Sequence, residues 1–113
     1  MHELSIMQSI FEIINTQASL HNFKKINKIK LKIGEIAGVL PDSLLFSFEI
    51  LSKGTITEGA NLEIEEIALT GRCEECKSEF RIEDYCYQCP RCKSFKITEL
   101  TGSELLIDSL EID

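Results

Sequence analysis

Residues 73–92, Cys73-Glu-Glu-Cys76 followed by Cys86-Tyr-Gln-Cys89-Pro-Arg-Cys92, hold all five cysteines of the chain within twenty positions. Two Cys-x-x-Cys pairs, Cys73/Cys76 and Cys89/Cys92, stand twelve residues apart. Each pair can offer two thiolates to one ion from a tight turn, and the interval is long enough for a short hairpin to bring the pairs together. That spacing is the pattern of a closed, tetrahedral, four-sulfur zinc site. Cys86/Cys89 is a competing pair. Cys89/Cys92 is preferred because Pro90 occupies the second position of its turn, where a fixed φ suits type I geometry. Cys86 is then a spare thiol, either a small packed residue or a redox-sensitive neighbour. Two disulfides are the competing reading, disfavoured by the odd cysteine count and by a start that does not read as a secretory signal. A four-sulfur iron site uses the same ligands, and spacing does not separate the two metals.

The interval around the cysteines needs a metal to fold. From Gly71 to Ile97 the large apolar side chains are Phe80, Ile82, Tyr85, Tyr87, Phe95 and Ile97. So small a core does not offset the entropy of ordering the segment, and a structural zinc supplies folding free energy directly.

Outward from this module, the chain of 113 residues reads as one small unit with one core. Its formal net charge of −7 opposes nucleic-acid binding, and the basic residues of the module are offset by acidic ones. No apolar run approaches a membrane span. Free cysteines without a secretory signal imply the cytoplasm.

Toward the N-terminus, Leu4, Met7, Ile10, Phe11, Ile14 and Ala18 recur at helical spacing, predicting a helix from Leu4 or Ser5 that frays by Asn22. His21 falls at its polar end. Ile29, Leu31 and Ile33 alternate with Lys28, Lys30 and Lys32, as in a strand with one wet face; the lysine row is either simply solvated or a docking surface for an acidic partner. Gly34 and Gly38 bracket a loop carrying Glu35. Pro41-Asp42-Ser43 opens a second helix, with Leu44, Leu45, Phe48 and Leu51 expected inside, Phe46 and Ile50 widening the stripe, and Lys53-Gly54 ending it. Leu62 and Ile64 mark a second strand; the apolar phase then shifts to Ile67 and Leu69, a bulge or an exit from the sheet. Leu105 to Ile112 is the last strand. The fold class is therefore α+β: two helices packed on a small three-stranded sheet, with a four-cysteine, zinc-ribbon-like module inserted before the last strand. The expected division is 1–69 plus 98–113 for the α+β body and 70–97 for the zinc module.

The chain begins Met1-His2-Glu3. The Met1 amine, the His2 amide nitrogen and the His2 imidazole can form consecutive chelate rings around one ion, and the Glu3 amide nitrogen can close a fourth corner. Four nitrogens in a plane suit Ni(II) or Cu(II) and suit zinc poorly. The Glu3 carboxylate is available beside the ion. Read alone, a histidine at position 2 is usually just a terminal residue; a helix starting at once after Glu3 would anchor it.

The whole chain resembles the HypA/HybF family of hydrogenase nickel-insertion proteins. The resemblance rests on Met1-His2-Glu3-Leu4-Ser5, Gly34-Glu35-Ile36-Ala37-Gly38-Val39, Phe46-Ser47-Phe48-Glu49, and the Cys73/Cys76 and Cys89/Cys92 pairs at their spacing. It implies a nickel metallochaperone, not an enzyme. Such a protein binds Ni(II) transiently at Met1, His2 and Glu3 and holds zinc on Cys73, Cys76, Cys89 and Cys92. With a GTPase partner, it loads the precursor of the [NiFe] hydrogenase large subunit or, in some members, urease. Some relatives carry histidines beside the zinc cysteines, whereas here Cys76 and Cys92 are each followed by Lys-Ser. Where members often have an acidic residue before the helix-opening proline, this chain has Leu40, with Asp42 nearby. Neither nucleic acid nor membrane is expected as a partner, and the chain is expected to be a monomer or weak homodimer. The alternative is a zinc-stapled interaction or regulatory domain without nickel transfer.

Overall fold

The computed structural model describes residues 3–113. Helix α1 spans Glu3–His21 and strand β1 Ile26–Gly34; helix α2 spans Pro41–Ser52 and strand β2 Asn61–Ile67. Three short strands follow, β3 (Thr70–Cys73), β4 (Glu79–Arg81) and β5 (Ile97–Thr101), and β6 (Leu105–Ile112) closes the chain. These make two three-stranded sheets, β2-β1-β6 and β4-β3-β5. The second sheet is antiparallel, Gly71 lying opposite Phe80 on one side and Glu99 on the other. No described helix is long and apolar enough to cross a membrane.

The chain divides into two compact units. Unit 1 contains 1–32, 38–65 and 106–113; unit 2 contains 33–37 and 66–105. The expected 70–97 module falls within unit 2, together with 33–37, which take in the end of β1, and the flanking residues. The shift of apolar phase at Glu66 marks an exit from the first sheet: β2 ends at Ile67 and β3 begins at Thr70.

In unit 1, β1 alternates as its sequence predicts. Ile29, Leu31 and Ile33 are buried, while Lys28, Lys30 and Lys32 stand on the other face. Flanking strands answer the lysines with carboxylates: Lys28 meets Glu63 at 3.1 Å, Lys30 meets Glu65 at 3.1 Å, and Lys32 meets Asp108 at 3.5 Å. The hydrogen bond and charge of Glu65 raise the Lys30 pKa above its ordinary value. The charges of the lysine row are thus matched within the sheet.

The helices are placed as expected, but their inner faces are partly different. In α1 the buried set is Ile6, Met7, Ile10, Phe11 and Ile14, with Ile6 replacing the exposed Leu4. In α2 the buried set is Leu44, Ser47, Phe48 and Ser52, whereas Leu45, Phe46 and Ile50 face outward. Leucine, isoleucine and phenylalanine surround most of this helix, so periodicity alone cannot choose its inner side. The small serines permit close approach there. Phe48 stacks on Phe11 at 5.7 Å. Lys53 is the cap residue beyond α2 rather than part of its last turn, and Gly54 follows at φ +76.

Unit 2 has little apolar interior. Of the six apolar side chains expected to support the module, only Ile82 is fully buried; Tyr85 is 72% and Phe95 75% exposed. A domain of this composition depends on something other than hydrophobic burial.

Candidate metal centre

The cysteine pairs occupy two turns built alike. In the first, the Cys73 N–H donates to the Ser78 carbonyl at 2.9 Å, and the Lys77 N–H donates back to the Cys73 carbonyl at 2.9 Å. In the second, the Cys89 N–H donates to Ser94 at 2.8 Å and the Lys93 N–H to Cys89 at 3.0 Å. Lys77 and Lys93 hold matching left-handed conformations, φ +65 and φ +66. A non-glycine residue pays roughly 1 kcal/mol or more in that region, so the turns are maintained by their surroundings. The sequence signal for this correspondence is the Lys-Ser dipeptide that follows each Cys-x-x-Cys.

The turns bring four sulfurs together. Cys73 and Cys92 Sγ lie 3.5 Å apart, Cys76 and Cys89 Sγ lie 3.5 Å apart, and all four fall within 4.8 Å of one another. Sulfurs around a tetrahedral zinc at ~2.3 Å would stand ~3.8 Å apart, so the set fits a four-coordinate ion without rearrangement of the fold. The structure therefore pairs Cys73/Cys76 with Cys89/Cys92. Cys86 is not in the group and is exposed at the end of a turn in which its N–H donates to Glu83.

Backbone donors prepare the sulfurs for negative charge. The Cys76 N–H points to Cys73 Sγ at 3.5 Å, while the Arg91 and Cys92 N–H groups both point to Cys89 Sγ at 3.4 Å. Donation from Cys76 lowers the Cys73 pKa. The Ser78 hydroxyl, its Oγ 3.3 Å from Cys76 Sγ, and then the Ser78 N–H bring Cys76 down to about 6. At Cys92 the Ser94 N–H pulls downward, but hydrogen bonding with Cys73, burial, and hydrogen bonds with Cys76 and Cys89 push the thiol up to about 12. Cys73, Cys76 and Cys92 thus hold their protons unequally. A cation entering the set displaces the most strongly held proton and neutralises the crowded thiolates.

Met1 and His2, expected to hold nickel, lie outside the described residues. Glu3 begins α1, and its Oε2 accepts the Leu40 N–H at 3.4 Å, just before α2. His21 stacks on Phe23 at the other end of α1. At 1.5 Å per residue the 19-residue helix puts roughly 27 Å between its ends, so His21 does not join a site at the N-terminus.

A residue that motif reading placed only in a loop has a defined structural role. Glu35 accepts the Leu69 N–H at 2.8 Å and lies 3.4 Å from the Arg81 guanidinium. The Leu69 hydrogen bond, then the Arg81 charge, hold its carboxyl below the usual range despite partial desolvation. The glycines bracketing the loop were the visible sign of its constrained backbone.

A family model described as hydrogenase/urease nickel incorporation, metallochaperone, hypA matches residues 1–112. A hydrogenase maturation factor HypA of Desulfitobacterium hafniense is 40% identical over 113 residues, covering 100% of this chain and 99% of the relative. One from Geobacter sp. strain M21 is 41% identical, with 100% of both chains covered. Among solved structures, the solution structure of the Ni metallochaperone HypA from Helicobacter pylori matches with TM-score 0.70 and 25% identity, covering 99% of this chain and 97% of that one. A second solution structure of a HypA protein matches with TM-score 0.74 at 24% identity, covering 99% and 96%, and supports the fold.

Proposed function

This chain belongs to the HypA family of hydrogenase/urease nickel-incorporation metallochaperones, and on that premise we propose that it carries Ni(II) on its N-terminal tripeptide and passes it to a maturing nickel enzyme. The observation that carries this reading is a family match that starts at residue 1 and takes in Met1-His2-Glu3. The Met1 amine, the His2 amide nitrogen and imidazole, and the Glu3 amide nitrogen supply a planar four-nitrogen set, suited to d⁸ nickel. Such a site opens one ligand at a time, which suits a carrier. Zn(II) is held on Cys73, Cys76, Cys89 and Cys92, where it staples unit 2. A GTPase drives delivery in the cytoplasm, and the recipient is the precursor of the [NiFe] hydrogenase large subunit or urease. The family is one of maturation factors rather than catalysts.

The test is nickel titration of the zinc-loaded protein at neutral and mildly acid pH. Amide and imidazole nitrogens bind nickel only when deprotonated, so affinity should fall steeply between pH 7.5 and about 5. His2→Ala should lose nickel binding while keeping its zinc and its helical signal. Affinity that is flat with pH, or intact in His2→Ala, would rule out this ligand set.

A further inference from the structure

The two helices of unit 1 contain four carboxylates, Glu3, Glu12, Asp42 and Glu49, and no lysine or arginine. This acidic layer also displays apolar side chains that the core does not use. Phe46 is 64% and Ile50 50% exposed. With Asp42 they follow i, i+4 spacing along α2, on the side away from buried Leu44 and Phe48. Beside Phe46 is an open groove of about 440 Å³, walled by Glu3, Leu4, Asp42, Ser43 and Ser47. Among the described residues, Phe46 has no aromatic partner.

We propose that this groove is a docking site for a cationic, amphipathic segment of the protein that exchanges nickel with this chain, with Phe46 as its apolar anchor. An exposed aromatic within an acidic rim matches a partner presenting an apolar residue among lysines or arginines. The same charge disfavours the alternatives. At the groove, anionic lipid and nucleic acid would meet the carboxylates of Glu3 and Asp42 and no lysine or arginine, and a second copy would set like-charged helices face to face. The lysines of β1 are engaged by Glu63, Glu65 and Asp108 within their own sheet. Glu3 links docking to transfer: it walls the groove and is joined by one peptide bond to His2. This last step rests on the nickel-carrier reading given above.

The experiment measures affinity of the zinc-loaded chain for the hydrogenase-maturation GTPase at low and high salt, beside Phe46→Ala and Asp42→Asn. Nickel uptake and helical content are recorded for each protein. Wild-type binding should weaken with salt. Phe46→Ala should lose about tenfold or more in affinity, and Asp42→Asn should bind less tightly with a shallower salt dependence. Both variants should keep nickel binding and fold. Salt-insensitive binding, or Phe46→Ala binding like the wild type, overturns the proposal. A wild-type chain that takes nickel but does not bind the GTPase also overturns it while leaving the carrier reading intact. Binding that depends on Phe46 in a chain that takes no nickel keeps the docking face and refutes the carrier reading.

Discussion

Gly34 is fixed by the backbone above it. A methyl group on its Cα would sit 2.1 Å from both the carbonyl carbon and oxygen of Gly102 and 2.5 Å from the Ser103 nitrogen. Those atoms are main chain and are held in place, since the Gly34 N–H donates to the Glu104 carbonyl at 2.7 Å. Four residues on, Gly38 has open space around it and needs glycine only for its φ of +75. The two substitutions should therefore differ sharply. Gly34→Ala should cost about 3 kcal/mol or more through overpacking, and Gly38→Ala about 1 kcal/mol through backbone strain. Urea unfolding of the two variants checks the ranking, and equal losses would contradict the close approach at Gly34. Glu35, between them, shows what a motif leaves unsaid. The sequence places a carboxylate in a glycine-bounded loop, but its partners, Leu69 and Arg81, are 34 and 46 residues away.

At the scale of elements, the two cysteine turns are the most legible feature of the sequence, because covalent spacing alone dictates them. The sheet that supports them was not legible. Its strands are three to five residues long, too short for alternation to register, and they bury few large side chains. The first sheet was legible for the opposite reason: β1 alternates lysine with isoleucine and leucine along most of its length. Helix positions could also be read, from proline and glycine punctuation, while the inner face of α2 depended on tertiary packing around Ser47 and Ser52. The cysteine geometry makes a prediction of its own. Cys73→Ser removes one of the four converging sulfurs and should release the metal and unfold unit 2, seen as loss of dispersed amide signals from 66–105. Cys86→Ser should keep a single metal ion per chain by native mass spectrometry. If Cys86→Ser lost the metal and Cys73→Ser kept it, the ligand set described here would be wrong.

Across the whole molecule, charge and chemistry are laid out unevenly. One sheet face is an internally matched ladder of lysines and carboxylates, the two helices carry four carboxylates and no lysine or arginine, and the four thiols converge in unit 2. This distribution follows from the tertiary fold: a sequence of net charge −7 does not say which of its lysines are already paired or which phenylalanine is left outside. The proposed nickel site is legible only as a string of potential ligands at the start of the chain, and the family relationship supports that reading. Its central requirement is a free amine on Met1. The direct test is calorimetric titration of Ni(II) into the zinc-loaded protein with its native N-terminus, alongside the same protein with one extra residue before Met1. The account predicts one nickel bound by the native form and none at comparable affinity by the extended form; equal binding by both would contradict it and move nickel away from the N-terminal amine.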